Sequence, residues 1–263
     1  VSGNTVAVYA GGVTSNISAS SGASVGIQGT GSNVTIDTGA VLEIASGGLV
    51  EGSTINGGTG HVDSGGSLTT TIIDNSAIVT VSGGATASGL TLETLGTVVV
   101  SSGGTVYNTV ISSGGGLGLA GTASGTVVNS GGVLEINSSG VAQDNTITSG
   151  GAIDADAGSV VGTTTVSSGG SLTVASSAAI SGVVTIANGG SATIWNNAGG
   201  TIDLVGDTNH GLTISGLENG GTVSTVISGY TGTGPGDSDS IDLAGVSPTG
   251  ATYSYPSNDQ VVV

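Results

Sequence analysis

Residues 97–119 read TVVVSSGGTVYNTVISSGGGLGL, and the spacing of their apolar residues decides the fold. Val98 and Val100 lie two apart, and one coil later Leu117 and Leu119 repeat the pair. Side chains two apart point to one side of a strand, so both pairs face a common interior. Worked outward in both directions, the same register places coil starts at Thr5, Ser24, Val41, Thr59, Ile78, Thr97, Gly116, Val133, Ala152, Ser171 and Ser191. The steps between these starts are nearly equal, which is the mark of a repeat architecture. The second and fourth positions of these coils form two apolar columns in which only Gly60, Ala155 and Ala192 are weak members.

A second strand in each coil is marked by a Thr-apolar pair, from Thr35-Ile36 and Thr54-Ile55 through Thr71-Ile72, Thr109-Val110 and Thr126-Val127 to Thr201-Ile202. The expectation is that the apolar partner faces in and the Thr faces out. Ser-Gly-Gly turns such as Ser64-Gly65-Gly66 and Ser102-Gly103-Gly104 separate the strands, where glycine supplies the positive φ of a tight corner. A short coil of this kind, with two or three brief strands and Gly corners, is a rung of a parallel β-solenoid. About eleven rungs at roughly 4.8 Å give a rod about 50 Å long, expected to be right-handed. After Val205 the register fails, and all three prolines lie beyond it. The reading is an all-β chain with a solenoid repeat domain over 1–204 and a C-terminal β cap or small β subdomain over 205–263.

Composition narrows the function. The 263 residues include no Lys, Arg or Cys but 17 Asp plus Glu, a formal net charge of −17. Without cations there is no electrostatic drive toward nucleic acid or anionic membranes. Schiff-base, P-loop, thiol and zinc-thiolate chemistry are excluded by the missing residues. Gly accounts for 53 residues and aromatics for 2%, with no Phe or Met, so the core must be narrow and aliphatic. No apolar run is long enough to span a bilayer, and the first residues show no signal-peptide pattern, so a soluble, processed chain is expected. Trypsin has no site in it.

These coils resemble the repeats of bacterial autotransporter passengers of the diffuse-adherence adhesin and antigen 43 type. The resemblance rests on the alternation of S-G-G, strand, T-x-V/I and S-G-G in SSGGTVYNTVISSGG (101–115) and SGGAIDADAGSVVGTTTVSSGG (149–170). It covers roughly residues 5 to 204. The tail, TGTGPGDSDSIDLAG (231–245) followed by ATYSYPSNDQVVV (251–263), resembles the segment after such repeats in some alphaproteobacterial surface proteins that carry a Hint-type self-processing domain. That domain and its nucleophilic Cys are absent from this sequence. The resemblance implies an extracellular or cell-surface protein used in adhesion, self-association, filament formation or biofilm. It also implies O-glycosylation on Ser and Thr, with no site assignable.

Three sets of residues are candidates for contact with a ligand. Glu135 and Asp154 occupy the third, outward position of consecutive coils, with Asp156 two residues along and Trp195 two rungs beyond it at the same position. Stacked carboxylates beside an aromatic platform suit a glycan-binding groove or a glycosidase. The missing Lys and Arg argue against lyase chemistry on uronates, and solvated surface is the simpler reading. Asp237, Asp239 and Asp242 alternate in a Gly-flanked loop and are candidate Ca²⁺ ligands, although the closing Glu of an EF-hand is missing. His61 and His210 lie far apart in sequence and are read as exposed loop residues. The outward Thr rank is weighed as an ice-binding face, but its companion rank (Asp37, Asn56, Ile73, Glu93, Ile111, Val128 and onward) is mixed. The best reading is a non-enzymatic extracellular adhesive solenoid that needs no cofactor and has further copies of itself, laterally or head to tail, as its main partner. Surface glycans are the second partner class; nucleic acid and membrane insertion are excluded. Glycan binding and ice binding are the alternatives.

Overall fold

The computed structural model describes residues 1–206, 211–218, 221–231 and 239–246. The described chain forms three long parallel sheets, of 13, 10 and 12 strands, and every third strand returns to the same sheet as far as Ser191–Trp195, after which strands alternate between two of the sheets. The eleven coil starts read from sequence are the first residues of the first eleven strands of sheet 1, from Thr5–Val8 to Ser191–Trp195. The structure is therefore a parallel β-solenoid, extending about 60 Å along its axis for thirteen strands at ~4.8 Å spacing.

Each of the first ten coils contributes one strand to each sheet. The four-residue strands of sheet 1 turn their second and fourth side chains inward, and Leu42, Ile44, Val98, Val100, Leu134 and Ile136 are wholly buried. Sheet 2 follows the first corner with strands of two or three residues, such as Thr86–Ser88 and Thr105–Tyr107, each with a single inward residue. Sheet 3 closes the triangle. Aliphatic columns then stack on themselves from rung to rung, so the core is a filament of Val, Ile, Leu and Ala along the axis.

The corners are hydrogen-bonded as thoroughly as the strands. Gly47, Gly65 and Gly84 each donate N–H to the corner carbonyl of the next rung, Gly65, Gly84 and Gly103, at 2.9–3.0 Å. A second column runs Gly114, Gly131, Gly150, Gly169 and Gly189 at 2.7–2.9 Å. Gly65 holds φ +79°, which an L side chain resists, and a Cβ on its neighbour Gly66 would stand 2.6 Å from the Ile44 carbonyl oxygen.

Sheet 3 departs from the expected orientation in three coils. Thr71, Thr109 and Thr126 are buried, while Ile72 is exposed and Val110 and Val127 are half-buried. The registers Thr54↔Ile72, Thr91↔Val110 and Val110↔Val127 show why. Placing Ile73, Ile111 and Val128 in the established inward column requires the residue two before them to point in as well. The resulting inner line runs Val34, Ser53, Thr71, Leu90, Thr109, Thr126, Asn145 and Thr164. Ser53 Oγ accepts from the Val34 N–H at 2.9 Å, and Asn145 Nδ2 donates to Thr164 Oγ1 at 3.2 Å. Thr109 Oγ1, Thr126 Oγ1 and Asn145 Oδ1 are buried without a protein partner. The outward companion rank accordingly carries Asp74, Ser112 and Asn129 where Ile73, Ile111 and Val128 were expected. Side chains bond along it: Asn56 to Asp37 at 3.1 Å, Asn129 to Ser112 at 3.2 Å and Thr148 to Asn129 at 3.1 Å.

Beyond Val205 the pairing continues on two sheets. Leu212–Ser215 lies parallel to Ala192–Trp195, and Ile241–Leu243 lies parallel to Leu212–Ile214. On sheet 3, Val226–Ser228 pairs with Thr201–Asp203. Sheet 2 has no described strand after Ala179–Ile180. The described parts of 205–263 are therefore built onto sheets 1 and 3 of the solenoid. The three prolines, with Tyr253 and Tyr255, lie outside the described residues.

The inward Thr residues make a direct test. Thr109→Val and Thr126→Val keep the shape and remove a buried hydroxyl without a partner, so each should raise stability by about 1 kcal/mol. Thr165→Val, at an outward position, should change thermal or denaturant unfolding little. Equal effects at all three sites would place Thr109 and Thr126 outward. Gly66→Ala should lower stability by about 1–3 kcal/mol, because backbone must move to admit the methyl.

Candidate functional site

Sheet 1 carries the carboxylates singled out above. Glu135 and Asp154 are direct partners in adjacent parallel strands, both exposed, as the coil register requires. Paired side chains on one face stand about 5 Å apart. Asp156 follows its strand immediately, exposed, with its N–H donating to the Ile136 carbonyl at 2.9 Å. The three acids form a short negative strip along the edge of sheet 1.

Trp195 ends its strand at the position corresponding to Asp156, with Ala175 between them. Its ring is committed elsewhere. The indole lies against Gly216 on the following rung, where any Cβ would overlap it, and Gly216 has φ +76°. The aromatic thus covers the C-terminal side of its rung, while the acids lie toward the N-terminal side, about two rung spacings or ~10 Å away. The structure brings Glu135, Asp154 and Asp156 together and leaves Trp195 apart from them.

Of the three loop aspartates, the two that are described sit in different surroundings. Asp237 lies outside the described residues. Asp239 is buried, its Oδ2 accepting the Thr231 N–H at 2.7 Å and its own N–H donating to the Thr231 carbonyl at 3.0 Å. Asp242 sits exposed on the outer face of sheet 1, opposite Thr213. Among the described residues no group of three or more His, Asp and Glu side chains is placed to hold a metal ion. Asp239 and Thr231 are thus joined to each other by backbone and side-chain hydrogen bonds.

His61 corrects the loop expectation. It lies within the strand Thr59–Val62, exposed, between Glu43 and Thr80 on the same outward rank as Glu135 and Asp154. The weak column residue Gly60 hides this strand's alternation. His210 lies outside the described residues. The Thr rank of sheet 3 reads Thr35, Thr54, Ile72, Thr91, Val110, Val127, Thr146, Thr165, Thr185, Asp203 and Ser228, so it is interrupted by aliphatic residues and by an acid.

No protein-family model matches the chain, and no curated protein does. Among solved structures it is similar to the TibC-catalysed hyper-glycosylated TibA55-350 fragment. The likeness is one of fold. It covers 92% of this chain and 97% of that one, with a TM-score of 0.66 at 24% identity. The solenoid architecture is therefore shared with a glycosylated fragment of similar extent, while the residues on its faces are this chain's own.

Stacked like charges should weaken the rung that carries them. Asp154→Asn is expected to stabilise the protein by about 0.5 kcal/mol at low ionic strength, relieving repulsion with Glu135. The gain should shrink in 0.5 M salt, where the Debye length falls to about 4 Å. A loss of stability, or a gain indifferent to salt, would show that the pair does not interact this way.

Proposed function

We propose that the chain is a non-enzymatic extracellular solenoid of the autotransporter-passenger type, which acts at a bacterial cell surface in adhesion and self-association. The observation that carries the reading is the use of the residues: nearly every inward position serves stacking, and the outward ones build three long repetitive faces. Function then resides in an extended surface, as in other repeat proteins. The likeness to the TibA fragment supports the architecture of such a passenger, and the resemblance of 101–115 and 149–170 to adhesin repeats supports the class. That fragment is hyper-glycosylated. Outward hydroxyls such as Thr165, Thr173 and Thr193 would make this chain an equivalent acceptor.

Charge sets the conditions. A rod of net charge −17 repels its own kind, so association should strengthen as salt rises and weaken on dilution. Sedimentation and electron microscopy of the purified chain across protein and salt concentration test this, with Ca²⁺ and with a chelator in parallel. Salt-promoted oligomers or bundles are expected. Single rods about 60 Å long under every condition, even at millimolar protein, would overturn self-association.

A glycan contact at Glu135, Asp154 and Asp156 is the second reading, favoured by the cross-rung pairing of the first two. Loss of retention on a glycan array in Glu135→Gln/Asp154→Asn, with self-association unchanged, would identify it.

A further inference from the structure

Charge is unevenly distributed around the rod. Sheet 1 presents Glu43, Glu135, Asp154 and Asp242, and sheet 3 presents Asp37, Asp74, Glu93 and Asp203. Sheet 2 presents Glu51 alone across its ten strands. Its central rungs, Thr86–Ser88, Thr105–Tyr107 and Thr122–Ser124, show solvent the side chains of Thr86, Ser88, Thr105, Tyr107, Thr122 and Ser124. The inward residues between them are Ala87, Val106 and Ala123, all fully buried.

Building on the self-association reading, we propose that the outer face of sheet 2 is the surface by which one copy lies against a second copy of this chain. Self-complementarity singles out this face. In a two-fold contact the same patch meets itself, residue i against j and j against i, so the patch must contain the partners of its own groups. A hydroxyl donates and accepts, and therefore pairs with another hydroxyl; a carboxylate only accepts, and here no Lys or Arg exists to meet it. Apposing sheet 1 or sheet 3 with itself would stack acids on acids. Apposing sheet 2 brings together hydroxyls, the half-exposed ring of Tyr107 and the inter-rung methyls of Thr. Asp63 and Asp156 flank one edge of this face and Asp144 the other, where its Oδ2 accepts from Ser124 Oγ at 3.3 Å; as edge residues these acids remain open to water and salt.

The size of the face sets the strength. Ten strands at ~4.8 Å and about three residues of width amount to roughly 450 Å² per rod, about half the share of a standard interface. The contact is accordingly weak between isolated rods and becomes effective where many rods are held on one surface. Its flanking charges require screening only, so monovalent salt suffices and a chelator makes no difference.

The chain lacks Cys, which permits an unambiguous test. Single substitutions Thr69→Cys, Thr86→Cys, Thr105→Cys and Thr122→Cys scan sheet 2, with Thr54→Cys on sheet 3 and Thr173→Cys on sheet 1 as controls. All are outward positions, and circular dichroism confirms that each variant is folded. Under mild oxidation in 0.15 M NaCl with chelator, the sheet 2 position closest to the two-fold axis should form disulfide dimers about tenfold faster than either control, as proximity raises its effective concentration. Thr86→Asp/Thr105→Asp should abolish the salt-promoted association, and Thr54→Asp/Thr165→Asp should leave it in place. Cross-linking fastest at Thr54 or Thr173, with association intact in Thr86→Asp/Thr105→Asp, would overturn this face while preserving self-association. Absence of association by the unsubstituted chain at any salt would remove the self-association reading, and this face with it.

Discussion

The structure depends on one constraint: each coil must lie in register on the coil before it. A parallel ladder fixes which residue stands above which, and in a triangular rung three ladders and three corners are fixed together. The consequence is visible where coils differ in length. Such differences are absorbed at corners and short strands, while sheet 1 keeps in-register pairing along its whole strands from Val6↔Val25 through Ile153↔Leu172. Corner glycines serve the same constraint, because only a left-handed backbone lets Gly65 and Gly131 pass their N–H groups to the next rung. A side chain enters the core only if its column can stack, and this explains why a Thr hydroxyl at position 109 tolerates burial.

How much of this could be read in advance follows from strand length and chemistry. Sheet 1 is legible because each of its strands contains two inward positions, and pairs such as Val79 with Val81 and Leu134 with Ile136 give an alternation that repeats. Sheet 2 is nearly illegible. Its strands contain one inward residue, often Ala87, Ala123, Ala142 or Gly31, and a small residue between two hydroxyls reads as a turn. Sheet 3 fails where three β-branched or aliphatic residues run together, as in Thr71-Ile72-Ile73 and Thr109-Val110-Ile111. Local pattern cannot choose between the two phases there, and stacking on Ile55 and Leu92 chooses. The acidic strip is legible for the same reason as sheet 1. The direction of the Trp195 ring is not, since it depends on Gly216 in a segment where the repeat changes.

The same register organises the exterior. Outward residues are held in ranks, so a chemical bias along one rank becomes a face of the rod. Asn56 stands between Asp37 and Asp74, and a serine, an asparagine and a threonine bond in sequence from Ser112 to Thr148. Sheets 1 and 3 gather most of the acids of the described strands, and their like charge opposes close approach of those faces to copies of themselves. Sheet 2 gathers hydroxyls. A chain with so little aromatic surface has few means of gripping a partner tightly, and a long face of modest contacts matches those means.

Amide hydrogen exchange, followed residue by residue by NMR, tests the register constraint most directly. Exposed Gly-rich turns ordinarily exchange rapidly, whereas hydrogen-bonded rungs open only with the unit that contains them. The amides of Gly65, Gly84, Gly131, Gly150 and Gly169 are expected to be protected to the same degree as those of Val98 and Leu134 on the adjoining strands. Exchange of these glycines at the rate of open loops, with strand amides still protected, would contradict the constraint.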